Sequence, residues 1–321
     1  MRELGYNNYL TEMLPPYGIE LFLRLIFVHL LADFVFQPDC WMRDRPDNGW
    51  DSKYLVYHAV VAGLSALLFV NLWNIVLILR DPAAFPEFLS QLWIPLLYAF
   101  ILIAVSHFII DGLKPGLEVI CQKIVKIMNC KEKQKDKDNE PVCVLIIDQI
   151  AHLIVLFIVL AILYPQALLL YPFGDPIRIN KIWIVLIAFL LILWPSGILI
   201  SRITRIWRTG KDIAGVQAAF LIDYDFSLLA GESCTRIEKP QEIDALDKGG
   251  RWIGYLERLL IVTFILVGDY TAIGFLVAAK GLFRFNDSKR AEYVIVGTLL
   301  SFTIAVLIGA TARYLINLSG T

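Results

Sequence analysis

Between Tyr54 and Leu79 the chain contains no Asp, Glu, Lys or Arg, and comparable apolar blocks recur along its length. A helix needs about 20 consecutive, mostly apolar residues to cross the hydrocarbon of a bilayer. On that criterion spans are predicted at Ile19–Gln37, Tyr54–Leu79, Leu92–Leu113, Val142–Tyr164, Lys181–Ile203 and Glu292–Ile316. A further apolar stretch, Trp252–Phe285, is interrupted at Gly268-Asp269 and reads as two short helices forming a re-entrant hairpin. Lipid offers the backbone no hydrogen-bond partners, so each segment must close its bonds internally. The expected fold class is therefore all-α, a polytopic transmembrane helix bundle with about six spans plus that hairpin. A barrel is excluded, because no ten-residue alternating pattern repeats. Hydrophobic residues make up 58% of the chain, above the roughly half found in soluble domains.

Basic residues mark the cytoplasmic side of a membrane protein. The linker Lys114–Glu140 holds Lys114, Lys123, Lys126, Lys131, Lys133, Lys135 and Lys137, and Arg202, Arg205, Arg208 and Lys211 follow the fifth span. Both linkers are expected in the cytoplasm, and the hairpin would return Lys280, Arg284, Lys289 and Arg290 to that side. Two domains are predicted: residues 1–165, a four-helix membrane unit, and residues 166–321, a second membrane region with a cytoplasmic linker at about 204–250. Met1–Pro16 is polar and lacks the pattern of a cleaved signal. The five cysteines (Cys40, Cys121, Cys130, Cys143, Cys234) form no C-x2-C pair, so no thiolate zinc knuckle or disulfide frame is indicated. A net charge of -1 gives no reason to expect a nucleic-acid partner.

Polar residues inside the apolar blocks are few and patterned. All four histidines fall within the first 152 residues, as His29-x3-Asp33, His58, His107-x3-Asp111 and Asp148-x3-His152. Four residues is about one helical turn, so each pair presents an imidazole and a carboxylate from one face. The pairs lie at the end of span one, the start of span two, the end of span three and the start of span four. In an up-down bundle those four ends share one membrane face, predicted to be cytoplasmic. One Asp–His pair alone is an ordinary packing hydrogen bond. Three pairs and His58 on one rim point to a site, since ionisable groups in a membrane are costly.

Imidazole and carboxylate donors suit a divalent metal, zinc first and manganese or iron next. Seven candidate ligands (His29, Asp33, His58, His107, Asp111, Asp148 and His152) are enough for one or two ions. Asp33 and Asp148 are candidate catalytic carboxylates. Lys114, one turn beyond Asp111, and Lys53, just before His58, are candidate catalytic groups at the pocket mouth, able to bind a phosphate or a leaving oxygen. Arg251, Glu257, Arg258, Asp269 and Lys280 in the second half are read as interfacial charges and a packing pair.

His29-Leu-Leu-Ala-Asp33-Phe-Val-Phe-Gln37, His58-Ala59, His107-Phe-Ile-Ile-Asp111-Gly-Leu-Lys114 and Asp148-Gln149-x2-His152 together resemble a bacterial integral-membrane family known as domain of unknown function 3307. In style the motifs are also similar to the YdjM-like predicted inner-membrane metal-dependent hydrolases. The first resemblance implies a plasma or inner membrane protein and assigns no activity. The leading expectation is a metal-dependent hydrolase acting on a membrane lipid or lipid-linked phosphoester at the cytoplasmic leaflet. The alternatives are a divalent-cation transporter, as paired H-x3-D motifs resemble cation diffusion facilitators, and a non-catalytic subunit with a structural or proton-relay network. No H-E-x-x-H occurs, which disfavours a zincin-type protease. Oligomeric state is not legible.

Overall fold

The computed structural model describes residues 18–38, 41, 44, 48–70, 85–127, 141–163, 181–204, 245–284 and 291–318. Every described element is helical: α1 (Gly18–Phe34), α2 (Lys53–Val70), α3 (Phe85–Ile127), α4 (Val142–Leu163), α5 (Lys181–Leu193), α6 (Pro195–Thr204), α7 (Ala245–Val267), α8 (Tyr270–Arg284) and α9 (Ala291–Leu318), with a 3-10 turn at Gly49–Asp51 before α2. Among the described residues four stretches are long and apolar enough to cross a membrane: Leu97–Ile124, Val142–Ile162, Lys181–Thr204 and Val296–Leu318. The predicted linker Lys114–Glu140 is helical as far as Ile127, where α3 continues past the predicted span end at Leu113; its remainder, most of the 204–250 linker, and Cys40, Cys130 and Cys234 lie outside the described residues.

Helices α1 to α4 pack around one cluster: Leu25, Val28 and Ala32 from α1, Ala62 and Ala66 from α2, Ile103 from α3, Leu156 and Val159 from α4. Small residues set the spacing. A Cβ on Gly63 would lie 2.8 Å from the Phe100 ring and 3.0 Å from its carbonyl oxygen, so α2 and α3 approach at near backbone contact. Such small-residue crossings are how membrane helices gain packing energy without a hydrophobic drive. The outward faces are apolar instead: Ile101, Val105 and Ile109 on α3 and Ile147, Ile150 and Ile154 on α4 are exposed. Aliphatic side chains thus cover the outside as well as the core, which a soluble bundle avoids.

A second cluster joins α5, α7 and α9 through Ile184, Ala188, Ile192, Ile261, Val262, Ile265, Ala305 and Ala312. The two bundles meet where α1 lies along α5, with the Phe27 ring 5.5 Å from Trp183 and the Arg24 guanidinium 5.3 Å from the same indole. Pro195 lacks an N–H and interrupts the α5–α6 rod. At that break the Ile192 carbonyl accepts from Ser196 Oγ at 2.6 Å and from Arg258 Nε at 2.9 Å. Helix α7 stops at Gly268, whose φ of +94° favours glycine. Gly268 N and Asp269 N both donate to the Phe264 carbonyl, and Asp269 Oδ1 accepts from Ala272 N to start α8.

Candidate metal centre

Each polar pair sits on its helix as the one-turn spacing requires. His29 and Asp33 occupy the last turns of α1, His58 the second turn of α2, His107, Asp111 and Lys114 the middle of α3, and Asp148, Gln149 and His152 the first half of α4. The crossing of the four helices turns all these faces toward one another. His29, His58, His107, His152, Asp111 and Asp148 are each buried, and the Asp33 side chain is 5% exposed. All seven predicted ligands therefore come together, with Lys114 beside them.

The hydrogen bonds assign the ring tautomers. His107 Nδ1 donates to the Ile103 carbonyl at 3.0 Å and His152 Nδ1 to the Asp148 carbonyl at 2.9 Å, each one turn back. Both rings are left with a lone pair on Nε2. Gln149 Oε1 can only accept, so His29 Nε2 donates to it at 3.3 Å and His29 keeps its lone pair on Nδ1. His29 Nδ1 then lies 3.2 Å from His107 Nε2, an approach that is attractive only with a proton gained by one ring or a cation beside the two. Asp33 Oδ1 completes the triangle, 3.6 Å from each of those nitrogens and 3.4 Å from His58 Nε2.

Two lone pairs and a carboxylate oxygen at such distances repel unless something positive lies between them. Bonds of about 2.0–2.1 Å in a tetrahedral zinc site separate neighbouring donors by about 3.3 Å. The spacing of His29, His107 and Asp33 fits that requirement. Three overlapping groups have their ligand atoms within 4.8 Å of one another and could hold a metal ion: His29, Asp33 and His152; Asp33, His58 and His107; and Asp111, Asp148 and His152. His58 Nδ1 and His152 Nε2 are buried with no hydrogen-bond partner among the described residues. Buried polar atoms are nearly always paired, so these orphans are a second sign that a ligand belongs here.

The far side of the cluster is organised by Lys114. Its Nζ lies 2.8 Å from Asp111 Oδ1 and 2.9 Å from Asp148 Oδ2, joining α3 to α4. Asp111 Oδ2 is 3.1 Å from His58 Nε2. Lys53 behaves differently: it is exposed at the first residue of α2, with its ammonium 5.0 Å from the Tyr54 ring centroid. Five residues separate it from His58, a rotation of roughly 140° around the helix at 3.6 residues per turn.

Gln149 lies within one of the sequence motifs, which gave it no role. Gln149 donates from Nε2 to Asp33 Oδ2 and Asp148 Oδ2, both at 3.1 Å, while its oxygen holds His29. One amide thus orients a ring and two carboxylates from two helices, the kind of support that fixes metal ligands. An amide inside the apolar run of α4, three residues before His152, was the available signal. Trp50 packs on α3 against Gly112, the residue after Asp111. A Cβ on Gly112 would run into its ring, so glycine is what admits the indole. The ring also meets Phe108 at 5.5 Å and remains 48% exposed at the rim.

Residues 21–172, which contain every one of these polar residues, match the model of a family described as protein of unknown function (DUF3307). No curated protein and no solved structure matches the chain.

Proposed function

We propose that the DUF3307 portion of this chain is a membrane-embedded, metal-dependent hydrolase that cleaves a lipid-linked phosphoester at the cytoplasmic leaflet of the inner membrane. The observation that carries this reading is the triangle of His29 Nδ1, His107 Nε2 and Asp33 Oδ1, with edges of 3.2, 3.6 and 3.6 Å, next to a lysine ammonium. In this reading α1 and α2 are embedded with the four longer helices to make six spans, and α7–α8 form the re-entrant hairpin.

His29, His107 and Asp33 hold the ion, with His58 and His152 supplying the nearest further nitrogens. A divalent ion held there, zinc being the best match to this nitrogen and oxygen set and manganese or iron acceptable, would supply Lewis acidity toward water and a phosphoryl oxygen. Asp33, as a ligand, helps to orient the attacking water; Asp148 takes the water's proton as its oxygen bonds to phosphorus and the ester P–O bond breaks, and the leaving oxygen is protonated from solvent. Lys114 reaches past Asp111 and Asp148 to the substrate phosphate and steadies the leaving oxygen. Lys53 has no part in the reaction. The aliphatic faces of α3 and α4 keep the lipid tail beside the site, so the substrate need not leave the membrane.

The test is metal analysis and turnover on one preparation. The purified full chain should retain a divalent metal and hydrolyse a lipid phosphoester such as a phosphatidic acid or polyprenyl phosphate. His107→Ala and Asp111→Ala, checked for helicity and monodispersity, should lose turnover beyond the roughly 10–100-fold that follows loss of a supporting residue. His107→Ala should lose the metal as well. Turnover undiminished in metal-stripped protein would end the reading. Metal flux into liposomes without hydrolysis would replace it with transport.

A further inference from the structure

We infer that the centre takes a single divalent ion and that the Lys114 ammonium occupies the place where a second would sit. The inference rests on the metal reading above and sharpens it. Seven ligands spread over three overlapping donor groups invite a two-metal reading, but the groups are not equivalent. Two of them share Asp33, whose Oδ1 lies within 3.6 Å of three imidazole nitrogens. The third, formed by Asp111, Asp148 and His152, already contains a cation, because Lys114 Nζ bridges the two carboxylates at 2.8 and 2.9 Å. Those are direct ion-pair distances. An ion coordinated by the same oxygens would stand against the ammonium in a low-dielectric interior, where like charges repel most strongly.

Charge count points the same way. Asp33, Asp111 and Asp148 bring three negative charges into a buried space, and Lys114 returns one positive charge. The remainder is minus two, which one divalent ion cancels. A second ion would leave the cluster at plus two, and uncompensated charge within a membrane-embedded bundle is costly. Neutral imidazoles add no charge and serve as ligands. Lys114, with an 18% exposed side chain, is also the member of the cluster nearest solvent. A built-in cation at the rim can turn toward an arriving phosphate without any loss of metal from the interior.

The experiment is metal stoichiometry, which does not depend on knowing the substrate. Full-length protein in detergent is equilibrated with excess zinc, desalted and analysed by plasma mass spectrometry against amino-acid analysis. Wild type should bind one zinc per chain, and Lys114→Arg should do the same. Lys114→Met, with Asp111 and Asp148 freed, should rise to two, the second ion leaving first on dilution. Two ions in wild type, or one in a folded Lys114→Met, would overturn the lysine assignment and leave the hydrolase reading intact. No metal in wild type would overturn both, leaving the carboxylates neutralised by protons on the imidazoles. Should Lys114→Met fail to fold, saturation of wild type at one or at two zinc per chain decides the question.

Discussion

Both halves of the molecule bury ionisable residues, and they do so in opposite ways. In the C-terminal half donors meet acceptors. Arg258 donates to the Ile192 carbonyl and to Ser301 Oγ and lies on the Tyr255 ring, while Glu257 pairs with Lys280, which also lies over Phe302. Arg258 closes a carbonyl opened by the helix break at Pro195, so its role is accounted for by packing. In the N-terminal half the inward-facing groups are mostly acceptors: ring nitrogens of His29 and His107 lie 3.2 Å apart beside Asp33, and Asp111 and Asp148 share one lysine. A buried polar cluster that completes itself is part of the scaffold. One that leaves charge and lone pairs facing inward is built for something else to enter.

Substitutions in the two clusters should therefore separate metal affinity from stability. The largest effect is expected at Gln149. Gln149→Leu frees His29 to change tautomer and releases Asp33 Oδ2, and metal affinity should fall about 10–100-fold, the usual cost of losing a residue that orients ligands. Competition with a chromogenic chelator reads this directly. Unchanged affinity would show that the amide is mere packing and would blur the contrast.

Arg258→Met should do the reverse. Ser196 still serves the Ile192 carbonyl, so the loss is two hydrogen bonds and a ring contact, about 1–3 kcal/mol. Thermal unfolding should come earlier while zinc per chain is unchanged. A fall in metal content would mean that the two clusters are coupled through the α1–α5 seam. The smallest effect belongs to Gly112→Ala. Its new methyl displaces the half-exposed Trp50 ring rather than backbone, and stability should change by less than about 1 kcal/mol, below the range for overpacked cores. Tryptophan fluorescence should nevertheless shift, because Trp50 must leave Gly112.

The helices and most of the centre were readable from local pattern. Hydropathy over 20 residues locates the long spans, and a four-residue spacing puts His107 and Asp111 on one face whatever surrounds them. The stop at Gly268-Asp269 was equally local, since a residue at φ +94° favours glycine. Lys114 and Lys53 show where such reasoning runs out. Both flank a histidine motif in sequence, yet Lys114 is three residues from Asp111 and returns to its face, while Lys53 is five from His58 and does not.

What the sequence by itself determined is a membrane-type helical chain with paired imidazoles and carboxylates, because period and hydropathy act within one helix. Tertiary structure alone decided that Asp33 lies among three histidines, that Lys114 spans α3 and α4, that Gln149 sets the tautomer of a ring 120 positions away, and that Arg258 serves a helix break 66 positions away. These contacts depend on how each helix is rotated and where it crosses its neighbours. Rotation and crossing are set by small residues such as Gly63 and Ala62 packing against distant partners, and no local pattern encodes that.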